Sequence, residues 1–255
     1  MMKEQWRYLI TNELTAAKNM AIDRAVLVAN SEGKAPPTVR FYTWSPPAIS
    51  IGYFQSLADE VDLEKCRNLG VEYVRRITGG GAVFHENELT YSIVIPEDHK
   101  EIPKNIMNSY ARICGAVMKG LKNLEIDSSY APINDIIAGG KKISGNAQTR
   151  KLKTVLQHGT VLMDVDVEKM FSVLRVPNEK IRDKMISDVK QRVTSIKHLL
   201  EDSISFDKAA DAMKKGFEKE FNIELVPGEL TDYELELTDS FEKECFGNND
   251  WNHKR

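Results

Sequence analysis

The stretch Val71-Glu72-Tyr73-Val74-Arg75-Arg76-Ile77-Thr78-Gly79-Gly80-Gly81-Ala82-Val83-Phe84-His85, followed by Leu89-Thr90-Tyr91-Ser92-Ile93-Val94-Ile95, decides how this chain is read. It describes a strand ending in two arginines, a triple-glycine loop, and strand again. Three successive glycines let the backbone take positive φ and let an anion or a second backbone approach closely. Two guanidinium forks at the mouth of the loop suit carboxylate or phosphate. Alternate side chains of a strand point to opposite faces, so at most one arginine of the pair faces a pocket. By itself the glycine run reads equally well as a hairpin turn. It is neither a P-loop nor a dinucleotide fingerprint, because it lacks the Gly-x-x-x-x-Gly-Lys-Ser/Thr pattern and no helix-forming segment follows it.

A second glycine-basic stretch, Asn134-Asp135-Ile136-Ile137-Ala138-Gly139-Gly140-Lys141-Lys142-Ile143-Ser144-Gly145-Asn146-Ala147-Gln148, repeats the theme. Together the two suggest a pocket that holds an acid beside a nucleotide phosphate. His85 and His158 lie on apolar strands, where each reads as a hydrogen-bonded core histidine or as a pocket group. No carboxylates stand near them at zinc-ligand spacing.

Working outward, the 255 residues are enough to bury a sizeable core and are described most simply as one domain over 1–255. A hydrophobic fraction of 42% and a charged fraction of 29% belong to an ordinary globular protein. The net charge of -3 argues against nucleic-acid binding through bulk positive charge. Cys66, Cys114 and Cys245 show neither metal nor disulfide spacing, which suits a reducing cytoplasm. No apolar run is long enough to span a membrane.

Asn19 is the expected cap of a helix from Met20 to Ala29. Strands are expected over Val39–Trp44 and Ala48–Tyr53, and a short helix from Asp62 to Leu69. After Pro103, the spacing of Ile106, Tyr110, Ile113, Val117 and Leu121 predicts an amphipathic helix that takes Cys114 into the core. A strand pair spans Ile133 to Asp164. Helices follow over Val167–Leu174, Asn178–Met185, Ile196–Leu200 and Phe206–Phe221, then a closing strand over Asn222–Val226 and a helix capped by Thr231. Strands early and helices late favour an α+β architecture.

In combination these motifs resemble the lipoate–protein ligases. The arginine and triple-glycine segment, then Asn134-Asp135, then Lys141-Lys142-Ile143-Ser144-Gly145-Asn146-Ala147, then His158-Gly159-Thr160-Val161-Leu162 occur in the family's order. Asn19-Met20-Ala21-Ile22-Asp23 and Arg40-Phe41-Tyr42 are similar to its opening segments, although Arg24 stands where the family usually has an acid. The resemblance implies a biotinyl/lipoyl-ligase-like catalytic domain, a mixed and mostly antiparallel sheet flanked by helices.

The implied activity is ATP-dependent: lipoate attacks the α-phosphate, giving lipoyl-AMP, and the acyl group passes to a lysine of an apo lipoyl-carrier domain. Such carriers are the glycine-cleavage H protein or the 2-oxoacid dehydrogenase E2 type. Lys142 is the implied catalytic residue. Arg76, Thr78, Gly80, Gly81, Ala82, Val83, Phe84, Asn134, Asp135, Ser144, Gly145 and Ala147 would join it around ATP and the adenylate. Tyr42, Gly81, Val83, His85, His158, Gly159 and Thr160 would form the lipoyl slot, and Asp135 would ligate magnesium. Many such ligases carry a further small C-terminal domain, so a separate accessory protein is expected to complete adenylation here. The alternative within the superfamily is an octanoyl- or lipoyltransferase working through a cysteine just upstream of the lysine element. Ser128 to Asp135 contains none. A non-catalytic lipoate or nucleotide binder is the third reading.

Overall fold

The computed structural model describes residues 3–176 and 178–255. Strand β1 (Glu4–Leu14) leads into helix α1 (Ala16–Ser31). Thr15 caps that helix, its hydroxyl accepting from the Lys18 amide, so the expected cap at Asn19 is displaced by four residues. Asn19 is buried instead, and its amide donates to the carbonyls of Leu14 and Thr43. Then come β2 (Thr38–Trp44), β3 (Ala48–Ile51), α2 (Leu57–Glu60) and α3 (Leu63–Leu69), the last closed by a left-handed Gly70.

The organising stretch forms β4 (Glu72–Arg75), the glycine loop and β5 (Val83–His85), followed by β6 (Glu88–Pro96). The loop is not a hairpin turn. β4 pairs with β3 in parallel and β5 pairs with the other edge of β3 antiparallel, so the glycines carry the chain across the end of β3.

Helix α4 (Ile106–Asn123) precedes β7 (Ser128–Ala131), β8 (Asp135–Ala138), β9 (Lys141–Lys151) and β10 (Thr154–Leu162). Ile113, Val117 and Leu121 of α4 are fully buried, whereas Ile106 at its first turn is 56% exposed and falls outside the expected stripe. The remaining elements are α5 (Val167–Val173), α6 (Glu179–Arg192), α7 (Ile196–Leu200), α8 (Phe206–Phe221), β11 (Ile223–Pro227), α9 (Asp232–Phe241) and α10 (Asn249–Asn252), with a π-helical turn over Glu242–Phe246. Thr231 caps α9 through a reciprocal box with Glu234. Among the described residues no helix is long and apolar enough to cross a membrane.

Eight strands form the main sheet in the order β11-β1-β2-β6-β10-β9-β8-β7. The β1–β11 and β1–β2 pairs are parallel and the rest antiparallel, as expected of an α+β sheet of this kind. Residues alternate between its faces. Val39 and Phe41 of β2, with Tyr91 and Ile93 of β6, meet Val117, Met213 and Phe217 of α4 and α8. Each such buried aromatic or branched side chain contributes about 1.5–3 kcal/mol.

Tyr42 and Trp44, with Val94 and Leu156, lie in the core on the α1 side, together with Val26 and Leu27. The three-stranded sheet β4-β3-β5 and its own small core, Ile49, Ile51, Leu57 and Val71, complete the molecule. A polar cavity sits between the two sheets.

Candidate acyl-transfer site

The α1 face of the main sheet is unusually polar. On β6, Glu88, Thr90 and Ser92 alternate with Leu89, Tyr91 and Ile93, and every one of the six is buried. Polar side chains withdrawn from water must find partners or cost free energy. Asp23 of α1 accepts from Arg40 Nη1 and Ser92 Oγ, both at 2.8 Å, and from Tyr42 Oη at 3.1 Å. Burial alone would raise the Asp23 pKa, but the hydrogen bond from His158 and the charge of Arg40 hold it below the usual carboxylate range.

A cavity of about 190 Å³ opens against this layer. Arg76 and the Gly80–Val83 segment line one wall, and Asn134, Lys142, Gly145, Asn146 and Ala147 another. Tyr42, His85, His158, Gly159 and Thr160 complete the expected set. Thr78, Phe84, Asp135 and Ser144 do not line it: Thr78 is fully buried beside Arg76, Phe84 packs into the small sheet's core, and Ser144 is fully buried. Met20, Trp44, Ser50, Thr90 and Asn146 line it without having been expected. The polar alternation of β6 was the available signal for Thr90.

The two arginines diverge as strand geometry requires. Arg75 is fully buried away from the cavity and donates to five backbone carbonyls, those of Gly52, Tyr53, Gln55, Trp251 and Asn252. Arg76 faces the cavity. Its Nε donates to Thr78 Oγ1 at 3.1 Å, Nη1 to Ser50 O at 2.9 Å and Ser50 Oγ at 3.1 Å, and Nη2 to the carbonyls of Gly79 and Gly81, both at 2.8 Å. Neither arginine forms an ion pair among the described residues. Burial pulls the Arg76 pKa down to about 10, so it remains a cation at neutral pH. It presents a field to the cavity while its N–H groups hold the loop.

Close approach explains two glycines. A side chain at Gly52 would lie 2.0 Å from the carbonyl oxygen of Gly80, whose own φ is +101°. A side chain at Gly145 would lie 2.9 Å from Lys142 Cε and Nζ, so this glycine makes room for the ammonium. Lys142 Nζ sits 2.7 Å from Asp135 Oδ1. Lys141 points away, towards the carbonyl of Lys190. Asn134 and Asn146 exchange side-chain-to-backbone hydrogen bonds, and Tyr91 Oη donates to Asn146 Oδ1 at 2.6 Å, which pins this wall.

Among the described residues no cysteine lines the cavity. All three are buried, and burial pushes the Cys66 thiol up to about 11 and the Cys114 thiol up to about 12. Arg24, at the departure from the resemblance, donates to Cys245 Sγ and lies over the Phe241 ring, so it fastens α1 to the C-terminal helices. Among the described residues no group of three or more His, Cys, Asp or Glu is gathered to hold a metal. Asp135, the expected magnesium ligand, is instead paired with Lys142. These residues do not form a metal site by themselves.

Residues 15–218 match the family described as the lipoyl protein ligase A/B catalytic domain. The chain belongs to that family. Among curated relatives, it is 38% identical over 275 residues to an octanoyltransferase, LipM, of Brevibacillus brevis, covering 99% of this chain and 100% of that one. It is 40% identical over 271 residues to the octanoyltransferase LipM of Clostridioides difficile, covering 98% and 99%. Among solved structures, it resembles one of an archaeal lipoylation system from Thermoplasma acidophilum, a bi-partite lipoate protein ligase and its E2 lipoyl domain. The TM-score is 0.89 at 28% identity, covering 98% of this chain and 96% of that one. A lipoate-protein ligase A bound with ATP gives a TM-score of 0.85 at 27% identity, covering 98% of both chains. The family member described here is thus an enzyme of lipoyl or octanoyl transfer.

Proposed function

We propose that this family member transfers a medium-chain acyl group, octanoyl or lipoyl, to the lysine amine of a lipoyl-carrier domain, with Lys142 as the catalytic residue. The observation that carries this reading is the Lys142 ammonium on the cavity wall, placed by Asp135 and given room by Gly145. As the carrier amine attacks the acyl carbonyl, negative charge develops on its oxygen. Lys142 donates to that oxygen, and the field of Arg76 adds to the stabilisation. The new C–N bond forms as the bond to the leaving group breaks, and the amine's proton departs with that group.

The donor we favour is an octanoyl thioester. Two features support it: the relatives named octanoyltransferase match this chain end to end. In addition, the cavity of about 190 Å³ is below the ~300–1,000 Å³ of sites that bury a drug-sized ligand, a scale that suits a single acyl chain. With no thiol on the cavity wall, the thioester would be attacked directly by the carrier amine, without an acyl-cysteine.

The same lack of a thiol favours a second reading, in which lipoate and ATP form lipoyl-AMP as the activated donor, assisted by a separate accessory protein. Mass spectrometry of an apo carrier domain separates the two. Octanoyl transfer from a carrier-protein thioester without ATP supports the first reading, and strictly ATP-dependent lipoylation supports the second. No transfer from either donor, even with an accessory protein, would overturn both.

A further inference from the structure

Two buried histidines stand between buried carboxylates and Arg76, and they do so in the same way. On one side, Asp23 Oδ2 lies 3.1 Å from His158 Nδ1, and His158 Nε2 lies 2.7 Å from Thr78 Oγ1, which accepts from Arg76 Nε. On the other, Glu88 Oε1 lies 2.7 Å from His85 Nδ1, and His85 Nε2 lies 2.7 Å from Ser50 Oγ, which accepts from Arg76 Nη1. Each chain runs carboxylate, imidazole, hydroxyl, guanidinium. The two converge on one side chain from β10 and from β5.

The hydrogen-bond roles follow from chemistry. A guanidinium only donates, so each hydroxyl accepts from Arg76, and beside a neutral imidazole it turns its own proton to the accepting ring nitrogen. A neutral imidazole has one accepting nitrogen, here Nε2, which leaves Nδ1–H to donate to the carboxylate. Trp44 stacks on His85 at 4.0 Å between ring centroids, and its Nε1 donates to Thr90, which donates to Glu88. Arg40 and Ser92 fix Asp23 from behind. Neither imidazole is free to rotate without breaking a buried bond. The far side of Arg76, through Nη2, holds the carbonyls of Gly79 and Gly81.

We propose that His85 and His158 are positioning residues for the glycine loop: acting through Ser50 and Thr78 they fix Arg76, and Arg76 fixes Gly79 and Gly81 at the cavity wall. The loop has no side chains of its own with which to hold a shape, so its order is imposed by this convergence. This role rests on the acyl-transfer reading only for its effect on activity.

The test is backbone nitrogen relaxation at Gly79, Gly80 and Gly81 in the full chain, with Thr78→Val, His158→Gln and their combination. Thr78→Ser is the conservative control, and Ser50→Ala probes the other line. Wild type and Thr78→Ser are expected in the rigid range, with order parameters about 0.85, and Thr78→Val and Ser50→Ala towards about 0.6. The Thr78→Val/His158→Gln pair should loosen the loop no further than Thr78→Val alone, because both cut the same line. In parallel, kcat/KM for acyl transfer should fall roughly tenfold in Thr78→Val, as for the loss of one buried hydrogen bond, and recover in Thr78→Ser.

A rigid loop in folded Thr78→Val and Ser50→Ala proteins would overturn the proposal. So would a loop already mobile in wild type, or effects of the pair that multiply. A wild-type chain with no acyl transfer would sink the functional reading alone, since the relaxation data still decide the loop.

Discussion

Lys142 Nζ and Asp135 Oδ1 lie 2.7 Å apart across the β8–β9 pair, both side chains more than a third exposed. With both side chains partly in solvent, although Asp135 Oδ1 itself is withdrawn from it, the pair contributes only about 0–1 kcal/mol to stability. Its value lies in placing the ammonium at the cavity.

Replacing Lys142 by Ala is therefore expected to leave the thermal midpoint within a few degrees of wild type. Acyl transfer should fall by at least roughly 100-fold, the scale of one lost preorganised donor. Steady-state transfer kinetics beside a melting curve check both halves. A folded Lys142→Ala protein that transfers at the normal rate would remove Lys142 from the chemistry.

Gly145→Ala tests the same ammonium from the other direction. The added methyl would meet the far end of a flexible side chain, so the fold should tolerate it while Lys142 swings away. The expected result is a loss of roughly tenfold in kcat, the order of 1.4 kcal/mol, with little change in melting. Unchanged kcat would mean the ammonium works from another rotamer.

Acid should destabilise this protein in two stages. Burial pushes the His158 pKa below the usual imidazole range, against the pull of Asp23, and Asp23 itself titrates below the usual carboxylate range. Below about pH 6.5 the unfolded chain takes up a proton that native His158 refuses, and below about pH 3.9 the same holds for Asp23. In both windows the unfolded state binds more protons, so stability falls as pH falls. Urea midpoints should drop between pH 7.5 and 5.5 in wild type and drop less in His158→Gln. Parallel profiles for the two proteins would refute the assignment.

The cysteines should prove inert. Native protein at pH 7.5 should resist iodoacetamide under conditions that label all three thiols in urea, because each is buried with a raised pKa. A Cys114→Ala protein should keep transfer within about twofold. Loss of activity on labelling a single cysteine would restore an acyl-thiol route.

Much of this architecture is legible in local pattern. Helix α8 follows from the spacing of Ala210, Met213, Phe217 and Phe221, and β2 from its β-branched and aromatic run, because burial imposes those periods directly. Strand β1 is not legible in this way. Its Glu4 and Arg7 disguise a strand whose Arg7 is buried against Glu234, a partner more than two hundred residues away. Likewise, order along the chain marks Lys142 and the glycine run as neighbours, but not Ser50 or Glu88. Those two join the site only because β3 lies under the loop and β6 turns a polar face inwards. The family resemblance placed most of the cavity wall, while the balance between thioester and adenylate chemistry depends on donor groups that no motif spells out.

The Arg75–Arg76 pair ties together four separate segments of the chain. Between them the two guanidiniums satisfy carbonyls and hydroxyls from β3, the following loop, the glycine loop and the C-terminal helix, using all the forks they have. Lysine carries the same charge but only three donors on a single nitrogen. The exchange that most surfaces accept without notice is thus among the least acceptable here. What an Arg→Lys exchange would lose at these two positions is donor valence rather than charge.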